Sequence, residues 1–391
     1  MLVNGERALA YPVIVDEVKP IPNYDRVEHV RVGGWWMVCH KGDFHVGDKA
    51  LYIETDSLVP SDDERFAFLE PKKYKVKTIK LCKVYSQGLL MPLNLFPELR
   101  DKDVHEDVTK LLGIKYYVAE DNARKAKSNP NAKYNNMCAR NKNLAKKKWW
   151  KWLMKRAWGR KLLFVFFGRK KDNPKGFPTW IKKTDEDRIE NCLWMLDDKN
   201  PYVVTEKIDG TSTTVFLDTT GRKPDFGVCS RNVRQVDMDE ENYHSKDAGG
   251  NVYWEMVVKY HMEDALKKIA NERDTKRVVI QGETYGEAVQ ANPYKISERR
   301  FAAFNLILDG VRLGSIEAKK ILAEYKIPFV PIIDNNYILP NKEDFEEFKK
   351  SADGKSVINK KVLREGFVYR SQDGQRSFKN VSRKFLMAKG E

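Results

Sequence analysis

The sequence predicts an α+β protein in which a small β-barrel precedes a larger mixed domain. Three observations carry that expectation. Residues 10–117 hold many short period-two apolar runs broken by Gly, Asn and Asp. From position 176 onward, buried-strand runs such as "RVVIQGETYG" alternate with helical periodicity such as "NVYWEMVVKYHMEDALKKIANER". Between the two lies a basic segment that fits neither pattern over most of its length.

A chain of 391 residues suits two domains, and 41% hydrophobic with 11% aromatic residues suffices for real cores. The expected boundaries are 1–118 for the barrel, 119–175 for a basic Trp/Lys-rich linker or insert, and 176–391 for the mixed domain. The opening "MLVNGERALAYPVIVDEV" lacks a basic patch followed by an apolar run, so no secretory leader is expected. No stretch of 18 uncharged apolar residues occurs, so no spanning helix is expected either. Five scattered cysteines without a Cys-x-x-Cys pair suggest reduced thiols and a cytoplasmic protein. Six histidines form no metal motif, which leaves carboxylates holding a hard ion such as Mg²⁺ as the expected metal chemistry.

Within the first unit, "YPVIVDEVKPIPNYDRVEHVRVGGWWMVCHKGDFHVGDKALYIETDSLVP" and "KYKVKTIKLCKVYSQGLLMPL" have the strand spacing of a five-stranded barrel of the OB-fold type. The segment "VHEDVTKLLGI" predicts a short closing helix. The net charge of +15 is concentrated between positions 124 and 175, where 18 lysines and arginines face one acid, Asp172. That segment carries +17, so the rest of the chain sums to −2. Inside it, "LAKKKWWKWLMKRAWGRK" predicts one helix with Trp149, Trp150, Leu153, Met154, Ala157 and Trp158 on a broad face and Lys148, Lys151 and Lys155 opposite. Such a helix suits a phosphate backbone with tryptophans stacking on bases, which is the favoured reading. It also suits an anionic membrane surface, or packing onto the protein itself.

The chemistry is carried by "VVTEKIDGTSTTVF" at 203–216. Its local pattern predicts a hairpin, with strands over 202–208 and 211–217 and a turn at Asp209–Gly210. Lys207 at the end of the first strand is also a candidate nucleophile. Further elements follow in order: "SRN" at 230–232, "QGETYG" with Glu283, "RFAAFNLI" with Phe304, "LREGFVYR" with Glu365, and "SFKNVSRKF" with Lys379. Glu283 and Glu365 interrupt apolar strands, where a carboxylate is costly unless paired or metal-bound. A lysine attacks an α-phosphate only when neutral, and from a reference pKa near 10.4 this costs about 4.6 kcal/mol at pH 7. A nearby cation lowers the cost. Lys379 and a metal held by Asp209, Glu283 and Glu365 would neutralise the phosphate, while Phe304 and Val368 would sandwich a purine. Together these residues make sense as nucleotidyl transfer.

On those motifs the sequence resembles the covalent nucleotidyltransferase superfamily of ATP-dependent DNA and RNA ligases and mRNA capping enzymes. With "PIPNYDRVE", "VGD" and "YIETDSLVP" ahead of the lysine and "FPTWIKKTDEDRIEN" leading into it, it is most similar to RNA ligases whose OB domain is N-terminal. The resemblance implies an adenylyltransferase domain of antiparallel sheets with flanking helices. It also implies ATP and Mg²⁺ or Mn²⁺, a lysyl–AMP on Lys207, and metal organisation by Asp209, Glu283 and Glu365. Arg231 and Asn232 would contact the ribose side, Phe304 and Val368 the adenine, Lys379 the α-phosphate, and Arg188 the β/γ-phosphates or their metal. Glu206 and Ile208, flanking the lysine, belong to the nucleotide site. Where relatives often have a second lysine after Lys379, this chain has Val381, so Arg383 and Lys384 are the substitutes to consider. Asn305 stands where an acid is common.

The implied partner is RNA, as a nicked duplex or as 5′-phosphate and 3′-OH ends, acted on by a monomer. The alternatives are a DNA ligase, a capping guanylyltransferase, or an RNA-binding OB module with an inactive second domain. The first two usually carry their OB domain after the core, and little follows Lys379 here.

Overall fold

A computed structural model describes residues 2–3, 6–117, 142–167, 176–235 and 251–389. The longer N-terminal strands form two three-stranded sheets and a hairpin, while two-residue strands pair Leu2–Val3 with Glu6–Arg7 and Ser57–Leu58 with both Lys75–Val76 and Lys115–Tyr116. In one sheet β1 (Ala10–Ile14) and β8 (Leu89–Pro92) flank β5 (Lys49–Ile53). In the other, β2 (Glu17–Ile21), β3 (Tyr24–Val32) and β4 (Trp35–His40) run in order. The hairpin pairs β6 (Thr78–Leu81) with β7 (Val84–Gln87). All pairings are antiparallel. The apolar run in β5 serves two cores with its alternating faces. Ala50 and Tyr52 join Tyr11, Val13, Trp35 and Met37 inside the barrel, while Leu51 and Ile53 pack with Phe66, Phe96 and Leu99. The helix expected at 104–114 is a series of turns. His105 takes a left-handed backbone, and the Thr109 hydroxyl accepts N–H bonds from Leu9 and Ala10 instead of supporting a helix.

The single helix expected in the basic segment is two, α1 (Lys148–Met154) and α2 (Ala157–Phe167). Trp150 and Leu163 are buried between them, and Gly159 allows the close approach. Trp149 and Trp158, expected to share one face with Trp150, are exposed while Trp150 is buried.

Two further sheets hold the remaining chemistry. The five-stranded one orders β11 (Asp225–Cys229), β10 (Thr211–Asp218), β12 (Arg277–Gly286), β13 (Arg299–Leu308) and a short strand at Val311–Arg312. Its outer face is covered by α3 (Val252–Lys259), α4 (Met262–Glu272) and α5 (Ser315–Glu324). The Asn251 side chain caps α3 by accepting from the Tyr253 and Trp254 N–H groups. In α4, Met262, Ala265, Leu266, Ile269 and Ala270 form one buried stripe. The helix expected across 251–273 breaks where His261 turns left-handed.

The four-stranded sheet orders β14 (Ile332–Tyr337), β9 (Tyr202–Lys207), β15 (Gly366–Ser371) and β16 (Ser377–Val381). Its outer core packs Tyr202, Tyr369 and Phe378 against Phe345 and Phe348, both on α6 (Phe345–Ser351). A last helix, α7 (Arg383–Lys389), follows β16.

The expected hairpin at Asp209–Gly210 is not one. β9 pairs with β14 and β15, while β10 pairs with β11 and β12, so the corner carries the chain from one sheet to the other. Local alternation identifies both strands but does not say which neighbours they take.

Candidate active site

The corner after β9 opens a cavity of about 350 Å³ between the two sheets. Gly210 is required there, since a Cβ would sit 2.3 Å from the Thr284 carbonyl oxygen of β12. Tyr294 fixes the corner by accepting the Asp209 N–H at 2.8 Å, and Ile208 is buried beside it. Lys207 is the last residue of β9, opposite Gly366, and Glu365 precedes β15. Their side chains meet, with Lys207 Nζ donating to Glu365 Oε1 at 2.6 Å. Burial opposes the lysine's charge, but Glu365, Glu283 and Asp209 outweigh it and raise its pKa.

The other predicted residues separate into two groups. Asp209, Glu283, Phe304, Glu365, Val368, Lys379, Arg188 and Arg231 all line the cavity, with Glu206 and Ile208 at the strand end. Phe304 and Val368 arrive from different sheets, on β13 and β15. Phe304 is the extra residue of a β-bulge, because Gln281 pairs with Asn305 and Gly282 with Ala303. The bulge frees the Phe304 carbonyl, which accepts from Arg370 at 2.8 Å and so ties the two sheets together. Lys379 lies opposite Val368 in the adjoining strand. Burial pushes its pKa down to about 8, with Lys207, Arg188 and Arg7 adding to the effect against Asp185. The Glu206 carboxylate is used structurally, accepting the Val357 N–H at 2.8 Å.

Asn232, Arg383 and Lys384 do not line the cavity. Asn232 is exposed. Arg383 reaches the barrel instead, donating to Gln87 Oε1 at 2.9 Å and to Glu346 Oε2 at 2.7 Å. Lys384 is exposed and pairs with Asp353. Asn305 likewise faces away, donating to Gln281 Oε1 at 2.8 Å.

Two sets of residues escaped the sequence reading. Lys389, at the end of α7, lines the cavity and places Nζ 3.0 Å from Asp209 Oδ2. Leu386, three residues earlier and on the same helix face, also lines the cavity, but no motif in the sequence marks either residue. The second set comes from the barrel, as Arg7, Asp56, Tyr116 and Tyr117. Arg188 donates to Asp56 at 2.9 Å, and Arg7 bonds both Asp56 and Glu54. Arg231 pairs with Asp185 and lies over the Tyr116 ring.

The carboxylates fit a divalent cation by their chemistry. Burial pushes Asp209 up to about 6, Glu365 adding and Lys389 opposing. Burial also pushes Glu283 up to about 8, Glu365 and Asp209 adding against Lys207. Glu365 Oε2 is buried without a hydrogen-bond partner. Burial and mutual repulsion thus disfavour the charges of Asp209 and Glu283, and a bound cation would relieve both. Among the described residues the three do not form a ready-made ligand cluster, since Lys207 holds Glu365 and Lys389 holds Asp209. They suit an ion that keeps its waters better than one fully enclosed by protein oxygens.

Residues 200–385 match the RNA ligase family, and residues 12–93 match an OB-fold domain. No curated protein matches the chain in sequence. The RNA ligase of Naegleria gruberi solved with pyrophosphate is 26% identical, with a TM-score of 0.75 over 98% of this chain and 99% of that one. Variants of the same enzyme solved with ATP and Mn, and with AMP and Mn, give TM-scores of 0.75 and 0.73 at the same identity. Each again covers 98% of this chain, and they are covered over 100% and 99% of their own length. With an OB domain ahead of an RNA ligase domain and a lysine-centred cleft between two antiparallel sheets, the chain belongs with the ATP-dependent RNA ligases of the covalent nucleotidyltransferase superfamily.

Proposed function

We propose that the chain seals RNA ends bearing a 5′-phosphate and a 3′-OH, at nicks, through a covalent lysyl–AMP on Lys207. The carrying observation is Lys207 Nζ at 2.6 Å from Glu365 in a cavity that Lys379 also lines. Glu365 Oε1 is placed to hold the proton that Nζ must lose before it attacks. A P–N bond then forms at the α-phosphorus of ATP while the α–β P–O bond breaks, and pyrophosphate leaves. Lys379 grips the α-phosphate, Phe304 and Val368 hold the adenine, and Arg231 the ribose side. Arg188, with Arg7 beside it, faces the β- and γ-phosphates. Asp209, Glu283 and Glu365 would hold a divalent cation, which when bound would neutralise charge at the phosphates. AMP next passes to the RNA 5′-phosphate, and the 3′-OH attacks that phosphorus to join the strand and release AMP.

The protein acts as a monomer in the cytoplasm. Free cysteines at Cys39, Cys82, Cys192 and Cys229 support a reducing compartment. Among the described residues no helix is long and apolar enough to cross a membrane.

The test is incubation with ATP labelled at the α-phosphate plus Mg²⁺ or Mn²⁺, followed by denaturing electrophoresis, beside Lys207→Ala and labelled GTP. The expected result is a labelled band with ATP only, lost in Lys207→Ala and chased by nicked RNA. No band with the folded protein overturns the covalent step. A chase by nicked DNA but not RNA overturns the acceptor assignment.

A further inference from the structure

The exposed surface of the helical pair α1–α2 serves no part of the adenylation chemistry. Its members are Trp152, Trp158, Leu162, Val165 and Phe166, each between 44% and 71% exposed. At ~100° per residue, Trp158, Leu162, Val165 and Phe166 fall within about 100° of one another around α2. The opposite side of α2 is already used, since Leu163 is buried against Trp150. Trp152 on α1 extends the apolar stripe by an edge-to-face contact with Trp158, with ring centroids 6.1 Å apart. Arg156 lies over the Trp152 ring at 3.7 Å. Positions 142–167 contain nine lysines and arginines and no acid.

We infer that this pair docks on an anionic lipid bilayer, lying in the headgroup region with the Trp158–Phe166 stripe inward. The apolar stripe and the charge act together. An acid-free basic surface is attracted to anionic headgroups and repelled by cationic ones. Tryptophans flanked by Leu, Val and Phe suit the boundary between headgroups and acyl chains. RNA suits the charge but not the stripe. Leu162 and Val165 have no ring to stack on a base, and the rings of Trp152 and Trp158 engage Arg156 and each other. With 11 residues, α2 spans ~16 Å at 1.5 Å per residue, about half a hydrocarbon core, so it lies on the bilayer rather than across it. This gives the basic segment an address separate from the cleft and compatible with a cytoplasmic enzyme.

The experiment is co-sedimentation of the full chain with vesicles of phosphatidylcholine alone and of phosphatidylcholine with phosphatidylserine. Binding is expected only to the anionic vesicles, falling as salt rises. Leu162→Asp/Phe166→Asp should lower it at least tenfold. Both side chains are exposed, so the thermal unfolding temperature should not change. Absence of binding to anionic vesicles, or equal binding by the double variant, overturns the inference. So does a double variant that loses nicked-RNA affinity without any vesicle binding in the parent, which assigns the stripe to RNA. A parent of two-chain mass by light scattering that becomes one-chain in the variant assigns it to a second copy, and also overturns the inference.

Discussion

Lys349 and Glu190 form a pair with side chains 0% and 1% exposed and Nζ 2.7 Å from Oε1. Lys349 also donates to the Val381 carbonyl at 3.2 Å, so the pair anchors the end of the strand carrying Lys379. Burial pushes the lysine down to about 8 against the pull of Glu190, which leaves it charged at pH 7. Lys349→Met keeps most of the volume but strands the Glu190 carboxylate, whose second oxygen already lacks a partner. Breaking such a pair from one side costs about 3–5 kcal/mol. For a domain of this size each kcal/mol moves the unfolding temperature by ~2–4 °C, so the expected drop is roughly 6–20 °C. Adding Glu190→Gln should recover most of that loss, because no buried charge remains. Thermal unfolding at pH 7 followed by circular dichroism measures both variants. A single variant within 2 °C of the parent, or a double variant no better than the single, would refute the reasoning.

Other expectations concern the cleft. Lys389→Ala should slow lysyl adenylation roughly 10- to 100-fold, the scale of a lost charge-assisted hydrogen bond, while Lys384→Ala stays within about twofold. Equal effects from the two, measured as single-turnover labelling, would remove Lys389 from the site. With Lys379 pushed down to about 8, its positive charge is present below that pH and lost above it. ATP affinity measured without metal should therefore fall as pH rises through 8, with ionisation of Glu283 near the same pH adding to a decline that Asp209 begins near pH 6. Lys379→Arg, which stays charged, should make the fall above pH 8 shallower while leaving the part due to Glu283; a variant whose profile matches the parent's would contradict the assignment.

The sequence made the two-part architecture legible, along with the lining of the cleft from Arg188 to Lys379. Strand alternation and carboxylates interrupting apolar runs are local signals, and the folded chain keeps them. Partner choice is not local. The strands on either side of Asp209–Gly210 look like a hairpin because period-two patterning is the same whether they pair with each other or part. Arg7 and Asp56 were invisible as cleft residues because the bond from Arg188 to Asp56 spans 132 positions. Arg383 was misread for the opposite reason. Its spacing after Lys379 suggested a phosphate cation, but a residue starting a helix after the strand no longer follows the strand's alternation, and it points to Gln87 and Glu346.

Val381 lines the cavity without a charge, and the helix that follows it connects the cleft to the barrel. Lys389 arrives on α7, whose other end is fixed by Arg383 to Gln87 of the barrel. A second connection runs from Arg7 through Asp56 to Arg188, which lines the cleft while two of its nitrogens lack protein partners. Both routes add barrel contacts to cations that the ligase domain also holds, Arg383 through Glu346 and Arg188 through its bridge to Lys379. Phosphate bound by Lys389 and Arg188 stabilises the docked arrangement by the same free energy with which docking favours phosphate, since linkage is reciprocal. The barrel in this chain thus lines the cavity through Arg7, Asp56, Tyr116 and Tyr117, and Arg383 ties it to the helix that carries Lys389.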